Sequence, residues 1–255
     1  MKLINLIFVI FFCSISAQKN LPFDSLKIQE TKELFADDYG NIYLYKNKDF
    51  SFTKYDSLGN HKGRMMFTLP FKIQNVQNPM NIVMFSENAQ EIKFADQNLN
   101  EIQKIDLWKF GFIKMAYAED LQQVWLLDES MKRLVQYNFR EDKIINSFPF
   151  QISFDEVKDL LVFEGRVYLI QKNNFKVFDF KGNEIFSQEF SDPKKLRREN
   201  ERIYIISEKQ IDEFLSDSSV KTVFTSGSAQ IVDKNSSAYF EIRDNKVYLY
   251  KLDYK

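Results

Sequence analysis

Histidine occurs once in this chain, at position 61, and cysteine once, at position 13. One histidine cannot build an imidazole metal cage, and no serine near His61 stands at nucleophile-elbow spacing, so triad hydrolysis lacks its parts. One cysteine makes no intrachain disulfide, so stability must come from packing. Glycine and proline are sparse, at seven and five residues, and no Gly-, Ser- or Pro-rich linker divides the chain. No excess of one charge exists either: 35 Lys and Arg stand against 36 Asp and Glu, which argues against nucleic acid as a partner.

What is present is a repeat. Six short segments begin at Phe52, Ile92, Leu134, Phe175, Ile211 and Val247, spaced 40, 42, 41, 36 and 36 residues apart. Each places an apolar residue, two spacers and an aromatic or small residue before a turn, and four of the six end in Asp or Asn. Apolar runs at Ile42, Ile82, Val124, Val167, Ile203 and Tyr239 precede them by 10, 10, 10, 8, 8 and 8 residues. A strand-rich period near 40 residues predicts propeller blades.

The upstream runs are β-branched and aromatic throughout, as expected of second strands covered on both faces. The Phe52-type runs alternate, with Phe52, Lys54 and Asp56 on one side and Thr53 and Tyr55 on the other, which predicts third strands with a wetter face. Residues 57–60 and 180–183 contain the Gly or Asn that a tight reversal with positive φ requires. Outer strands are expected at residues 62–68, 101–107, 143–148, 184–190 and 220–225. Innermost strands are expected near residues 31–37, 76–80, 113–119, 157–163, 195–199 and 229–233.

The sixth copy has no outer strand of its own, and an unpaired edge is a liability that closed β architectures remove. Residues 21–28 are the expected donor. The predicted fold is therefore all-β, a six-bladed β-propeller closed by its N-terminal strand.

The phrase from Asp38 to Leu44 followed by residues 52–60, echoed by Gly165 to Leu169 with residues 175–183, resembles the strand-turn grammar of six-bladed propellers with NHL or lactonase-like repeats. The resemblance spans nearly all of residues 18–255 and implies a fold that hosts many functions. The chain has no Gly-His dipeptide and no Trp-Asp ending of the WD-repeat type.

Residues 1–17 read as a secretory signal peptide: Lys2, an apolar core over residues 3–13, and small residues from Ser14 to Ala17. The expected product is exported, periplasmic or secreted, with residues 18–255 as one domain and no integral membrane segment once the leader is removed. Phe12 before Cys13 disfavours a lipid anchor. Loss of Lys2 leaves 34 basic against 36 acidic residues, a net charge near −2.

Chemistry at the channel would need carboxylates and amides converging from the innermost strands, and Glu33, Asp37, Asn78, Glu119, Asp159, Glu199 and Asp233 are the available set. A turn role, capping backbone amides, is preferred for Asp37, Asp38 and Asp233. No metal, cofactor or catalytic residue is assigned. The candidate binding residues are Trp108 and Phe110, in a loop joining an outer strand to the next innermost strand, and Arg197 and Arg198, in the densest basic cluster. The competing readings are that these aromatics plug the gap between blades and that the basic cluster is a solvated loop. The Asn235-Ser-Ser237 sequon carries no weight.

The reading that follows is a non-catalytic recognition or scaffold module that binds a protein, peptide or glycan through one propeller face. The alternatives are a metal-dependent lactonase-like hydrolase with carboxylates in the channel, and a subunit of a cell-envelope assembly.

Overall fold

The computed structural model describes residues 18–20 and 28–252. It is a six-bladed β-propeller, six four-stranded antiparallel sheets each running innermost, second, third and outer strand. In blade one these are Thr31–Ala36, Ile42–Lys46, Ser51–Tyr55 and His61–Met66. The leader falls outside the described residues.

In blade six the outer position is filled by Gln18–Asn20, which pairs antiparallel with Lys246–Lys251 in the register Gln18↔Tyr250. The closure is thus N-terminal, with Gln18–Asn20 as the described donor; of the expected donor, residues 21–27 lie outside the described residues.

The second strands are buried along nearly their whole length, as their composition requires. The third strand of blade one is not the wetter strand its alternation predicts: all five residues of Ser51–Tyr55 are buried. Lys54 achieves this by reaching across the wedge, its Nζ donating to the Gln97 carbonyl of blade two at 2.9 Å. A long aliphatic stem can lie buried when its ammonium finds an acceptor.

The innermost strand of blade two is Lys72–Asn75, earlier than the expected 76–80. Its sequence, Lys-Ile-Gln-Asn, carries a single aliphatic residue and so gives little apolar signal. Asn78 lies beyond it in a turn, where its Oδ1 accepts the Met80 N–H at 3.0 Å.

Apolar side chains fill the wedges between neighbouring blades. Between blades four and five, Phe175 is fully buried and its ring lies 5.3 Å from that of Phe214 and 6.2 Å from that of Phe190. Between blades three and four, Trp125 lies 5.2 Å from Phe180. Aromatic pairs at these distances add to the area they bury.

Two local devices recur. The first is a five-residue turn opened by Asp and closed by Asn. In Asp56–Asn60 the Asp Oδ1 accepts the N–H groups of Leu58 and Asn60, both at 2.9 Å, and the Asn60 Nδ2 donates to Oδ2 at 3.0 Å. The same contacts hold in the turns opened by Asp37, Asp96 and Asp179. The residue before Asn has positive φ in each, Gly40, Gly59, Leu99 and Gly182, so Asn serves by its side-chain amide rather than by its backbone.

The second device is a bulge in each outer strand of blades one to five, where the pairing skips Lys62, Ile102, Ile145, Ile185 or Val223. A bulge twists an edge and disrupts its ladder, which protects it against pairing with another chain.

Candidate functional site

Antiparallel order puts the loops from second to third strand, and from outer strand to next blade, on one face, here called upper. The other loops form the lower face. The central channel opens on both.

The upper mouth is a cavity of about 750 Å³. Bulges in the innermost strands of blades one, three, four and five fall at Lys32, Lys114, Lys158 and Lys194, so the same backbone irregularity presents a lysine at the upper end of each. Three of these cations are matched: Lys114 by Glu87 at 2.8 Å, and Lys158 and Lys194 by a shared Asp192, at 3.3 Å for Lys158.

Ion pairs then cross the channel at its waist. Lys72 of blade two reaches Asp159 of blade four at 3.5 Å. Lys195 of blade five reaches Asp233 of blade six at 3.1 Å, donates to the Leu34 carbonyl of blade one at 2.7 Å, and lies 4.0 Å from the Phe35 ring centroid. Arg197 of blade five donates to Glu199 at 2.7 Å, to the Ala36 carbonyl at 3.2 Å and to Asp38 at 3.3 Å. Burial pulls the Lys195 ammonium below its ordinary pKa against the nearby Asp233, and pushes the Asp159 carboxyl up against the pull of Lys72.

These contacts locate the expected channel carboxylates. Asp159 and Asp233 are held by lysines and each also bridges blades, accepting the N–H of Leu196 at 2.6 Å and of Ala36 at 2.9 Å. Asp233 is therefore an inter-blade tie rather than a turn cap. Glu199 is shared by Arg197 and Lys234. Asp37 is buried in its turn, and Asp38 accepts the Ser236 N–H at 2.8 Å. Among the described residues no three His, Cys, Asp or Glu side chains form a group that could hold a metal.

The lower mouth is a smaller cavity of about 500 Å³. Blade two closes over it: after its short innermost strand the chain crosses toward blade five, where the Gln77 Nε2 donates to the Arg198 carbonyl at 2.9 Å. The Arg198 guanidinium carbon lies 3.8 Å from the Phe163 ring centroid, and its Nε donates to the Asn200 carbonyl at 2.8 Å. Tyr117 lines the same mouth, and burial raises its pKa. Gln74, at the bulge of the same blade-two strand, has both side-chain amide atoms buried and unpartnered.

The basic cluster is thus not a solvated loop. Residues Pro193–Glu199 form the innermost strand of blade five itself, and Arg197 is 8% exposed. Alternation sends Lys195 and Arg197 into the waist.

On the upper face, Trp108–Phe110 form one turn of 3-10 helix. The two aromatics part company there. Phe110 is 7% exposed and lies edge-on to Tyr137 at 4.7 Å, plugging the wedge between blades two and three, while Trp108 is 62% exposed. The Trp108 N–H is tied to Asp106 at 2.9 Å, and Lys109 binds the Tyr137 hydroxyl at 2.8 Å and the Asp142 carboxylate. Gly111 follows with φ +96, and a Cβ there would meet Ser130 at 3.1 Å, so only glycine fits. Phe112 and Met131 are exposed beside it, their loops joined by the Phe112 N–H to the Ser130 Oγ at 2.8 Å. Phe71, Phe150 and Phe154, in other loops of this face, are buried.

Sequence reasoning therefore reaches Trp108, Arg197 and Arg198 but not Gln74, Tyr117, Phe163 or Met131. The available signal was strand register: Tyr117 and Phe163 lie on innermost strands, at positions that the pairing with the second strands resolves.

No protein-family model matches the chain, and no curated protein sequence matches it either. Solved structures do match in shape. A streptogramin B lyase superposes with a TM-score of 0.55 at 10% identity, over 92% of this chain and 97% of the other. The WD40 domain of Pan2 from Neurospora crassa gives 0.51 at 9%, over 93% and 96%. A catalytically inactive histidine-to-alanine form of virginiamycin B lyase from Staphylococcus aureus, with quinupristin, gives 0.50 at 10%, over 86% and 79%. At such identity the likeness is one of fold.

Proposed function

We propose that the chain is an exported, non-catalytic recognition or scaffold module that binds a protein or peptide through its upper face. The observation that carries this reading is Trp108: a large aromatic side chain held out to solvent on a turn fixed by Phe110, Lys109 and Gly111, with Phe112 and Met131 beside it. A rigid aromatic anchor loses little entropy on binding and is the commonest kind of interface hot spot.

Hydrolysis at a channel metal has less support, because Asp159, Asp233 and Glu199 are each occupied by a cation of the chain. The lyase of similar shape is inactive when a histidine is replaced by alanine. The single histidine here, His61, opens the outer strand of blade one and lines neither cavity.

One observation favours assembly into a larger body instead: Ile102, Ile145 and Ile185 stand exposed at the bulges of three successive outer strands. A photocrosslinking residue at position 131 or 185, used in envelope extracts, separates the two readings. Upper-face recognition requires a product at 131 that Trp108→Ala abolishes. Products only at 185 would assign the rim, and no product at either position would overturn both.

A further inference from the structure

We infer that the lower mouth of the channel binds a sugar acid, with Arg198 holding its carboxylate and the carboxamides around it reading its hydroxyls. This site lies on the face opposite Trp108 and does not depend on the upper-face reading.

Around the lower mouth, Arg197 is bound to Asp38 and Glu199, Lys234 to Glu199, and Lys195 to Asp233. Arg198 alone of these cations has no carboxylate partner among the described residues. Its flat face rests on Phe163 and its Nε is fixed to the Asn200 carbonyl, so the guanidinium is oriented before any ligand arrives. A guanidinium stacked by its face keeps edge N–H groups for a planar anion, and carboxylate matches that fork with two parallel hydrogen bonds.

The second observation is independent of Arg198. Both amide atoms of Gln74 are buried without a partner and Gln74 lines this cavity. A buried carboxamide lacking both a donor and an acceptor partner is costly, and a bound group that supplies both would relieve it. A hydroxyl does so. Asn75 and Asn200 line the same mouth. Among the described residues Asn75 uses only its Oδ1, toward the Gln77 N–H at 2.7 Å, which leaves its amide donor for a ligand.

Carboxamides and one free guanidinium select hydroxyls and a single negative charge. The carboxylates of Asp38, Glu119 and Glu199 in the same lining disfavour a polyanion. The volume of about 500 Å³ admits one sugar ring with room for a linked neighbour.

The test is titration calorimetry of the full mature chain with D-glucuronate, D-galacturonate and N-acetylneuraminate, up to about 20 mM. D-glucose, D-galactose and lactate serve as controls. At least one sugar acid should saturate, with the neutral sugar and lactate at least about tenfold weaker. Arg198→Gln should remove binding with an unchanged melting temperature. Arg198→Lys, which keeps the charge but not the fork, should weaken it about tenfold, and Gln74→Leu severalfold. Trp108→Ala should have no effect. Saturation by none of the three acids, binding that survives Arg198→Gln, or lactate binding as well as the best sugar acid would each overturn the assignment.

Discussion

The wedges between the blades and the axis of the ring are both buried, yet they are built from opposite materials. In the wedge between blades four and five, Phe175, Phe190 and Phe214 pack ring against ring. Along the axis, a few residues away, Lys72, Asp159, Lys195, Asp233 and Arg197 are linked by ion pairs that cross from blade to blade. Apolar packing is non-directional and tolerates any partner of similar size. An ion pair removed from water repays its desolvation only when each charge keeps its partner. The wedges supply stability, and the axis supplies registry between blades that are not neighbours in sequence.

The largest expected effect is in the wedge. Phe175→Ala leaves a cavity among four rings and should cost about 3–5 kcal/mol, read as a fall in the denaturation midpoint, with ligand affinity at either mouth unchanged in the folded fraction. A cost below about 1 kcal/mol would mean that the wedge relaxes, and the contrast with the axis would lose its basis.

Next comes the axis. Asp233→Ala strands Lys195 and frees the Ala36 N–H, so about 3 kcal/mol should be lost. If the pair serves registry, Lys195→Met combined with Asp233→Leu should recover most of that loss, because an apolar pair removes both charges together. Failure of the double variant to recover would assign the loss to the inter-blade hydrogen bond of Asp233 rather than to the stranded charge.

The smallest effect belongs to the lower-face turns. Asp56, Asp96 and Asp179 are held below the ordinary carboxylate range, chiefly by their hydrogen bonds to Asn60, Asn100 and Asn183. With the folded pKa depressed, the stabilisation is present above the unfolded value of about 4 and is lost as pH falls through the folded values. The denaturation midpoint should therefore drop on acidification below about pH 4. The triple Asp→Asn variant should start lower at neutral pH and fall less steeply. An equally steep fall would place the acid sensitivity in the axis instead.

Much of the ring was legible because it rests on patterns that local chemistry imposes. The runs at Ile42, Val167 and Ile203 are the second strands, and the segments at Phe52 and Phe175 lie in third strands whose turns need Asp and Asn. The failures came where tertiary contact overrode local character. Ser51–Tyr55 alternates in polarity but is buried because Lys54 finds Gln97 in the next blade. Lys72–Asn75 is a strand although it is mostly polar, because it faces the channel rather than a wedge. For the candidate sites, residue type singled out Trp108 and Arg198. Only the fold turned Phe110 inward, placed Phe163 beneath Arg198, and brought Gln74 to the same mouth.

By itself the sequence determined the number of blades, the order of strands within each, and closure by the N-terminal segment, because hydrophobic period and turn chemistry act over a few residues and repeat. The tertiary structure alone decided which charges meet. Lys72 and Asp159 are 87 positions apart, and Arg197 and Asp38 159, and their contacts exist only once six sheets have closed around an axis. A pattern of period two or forty contains no distance across that axis, so partnership, and with it the unmatched guanidinium at the lower mouth, is a property of the closed ring.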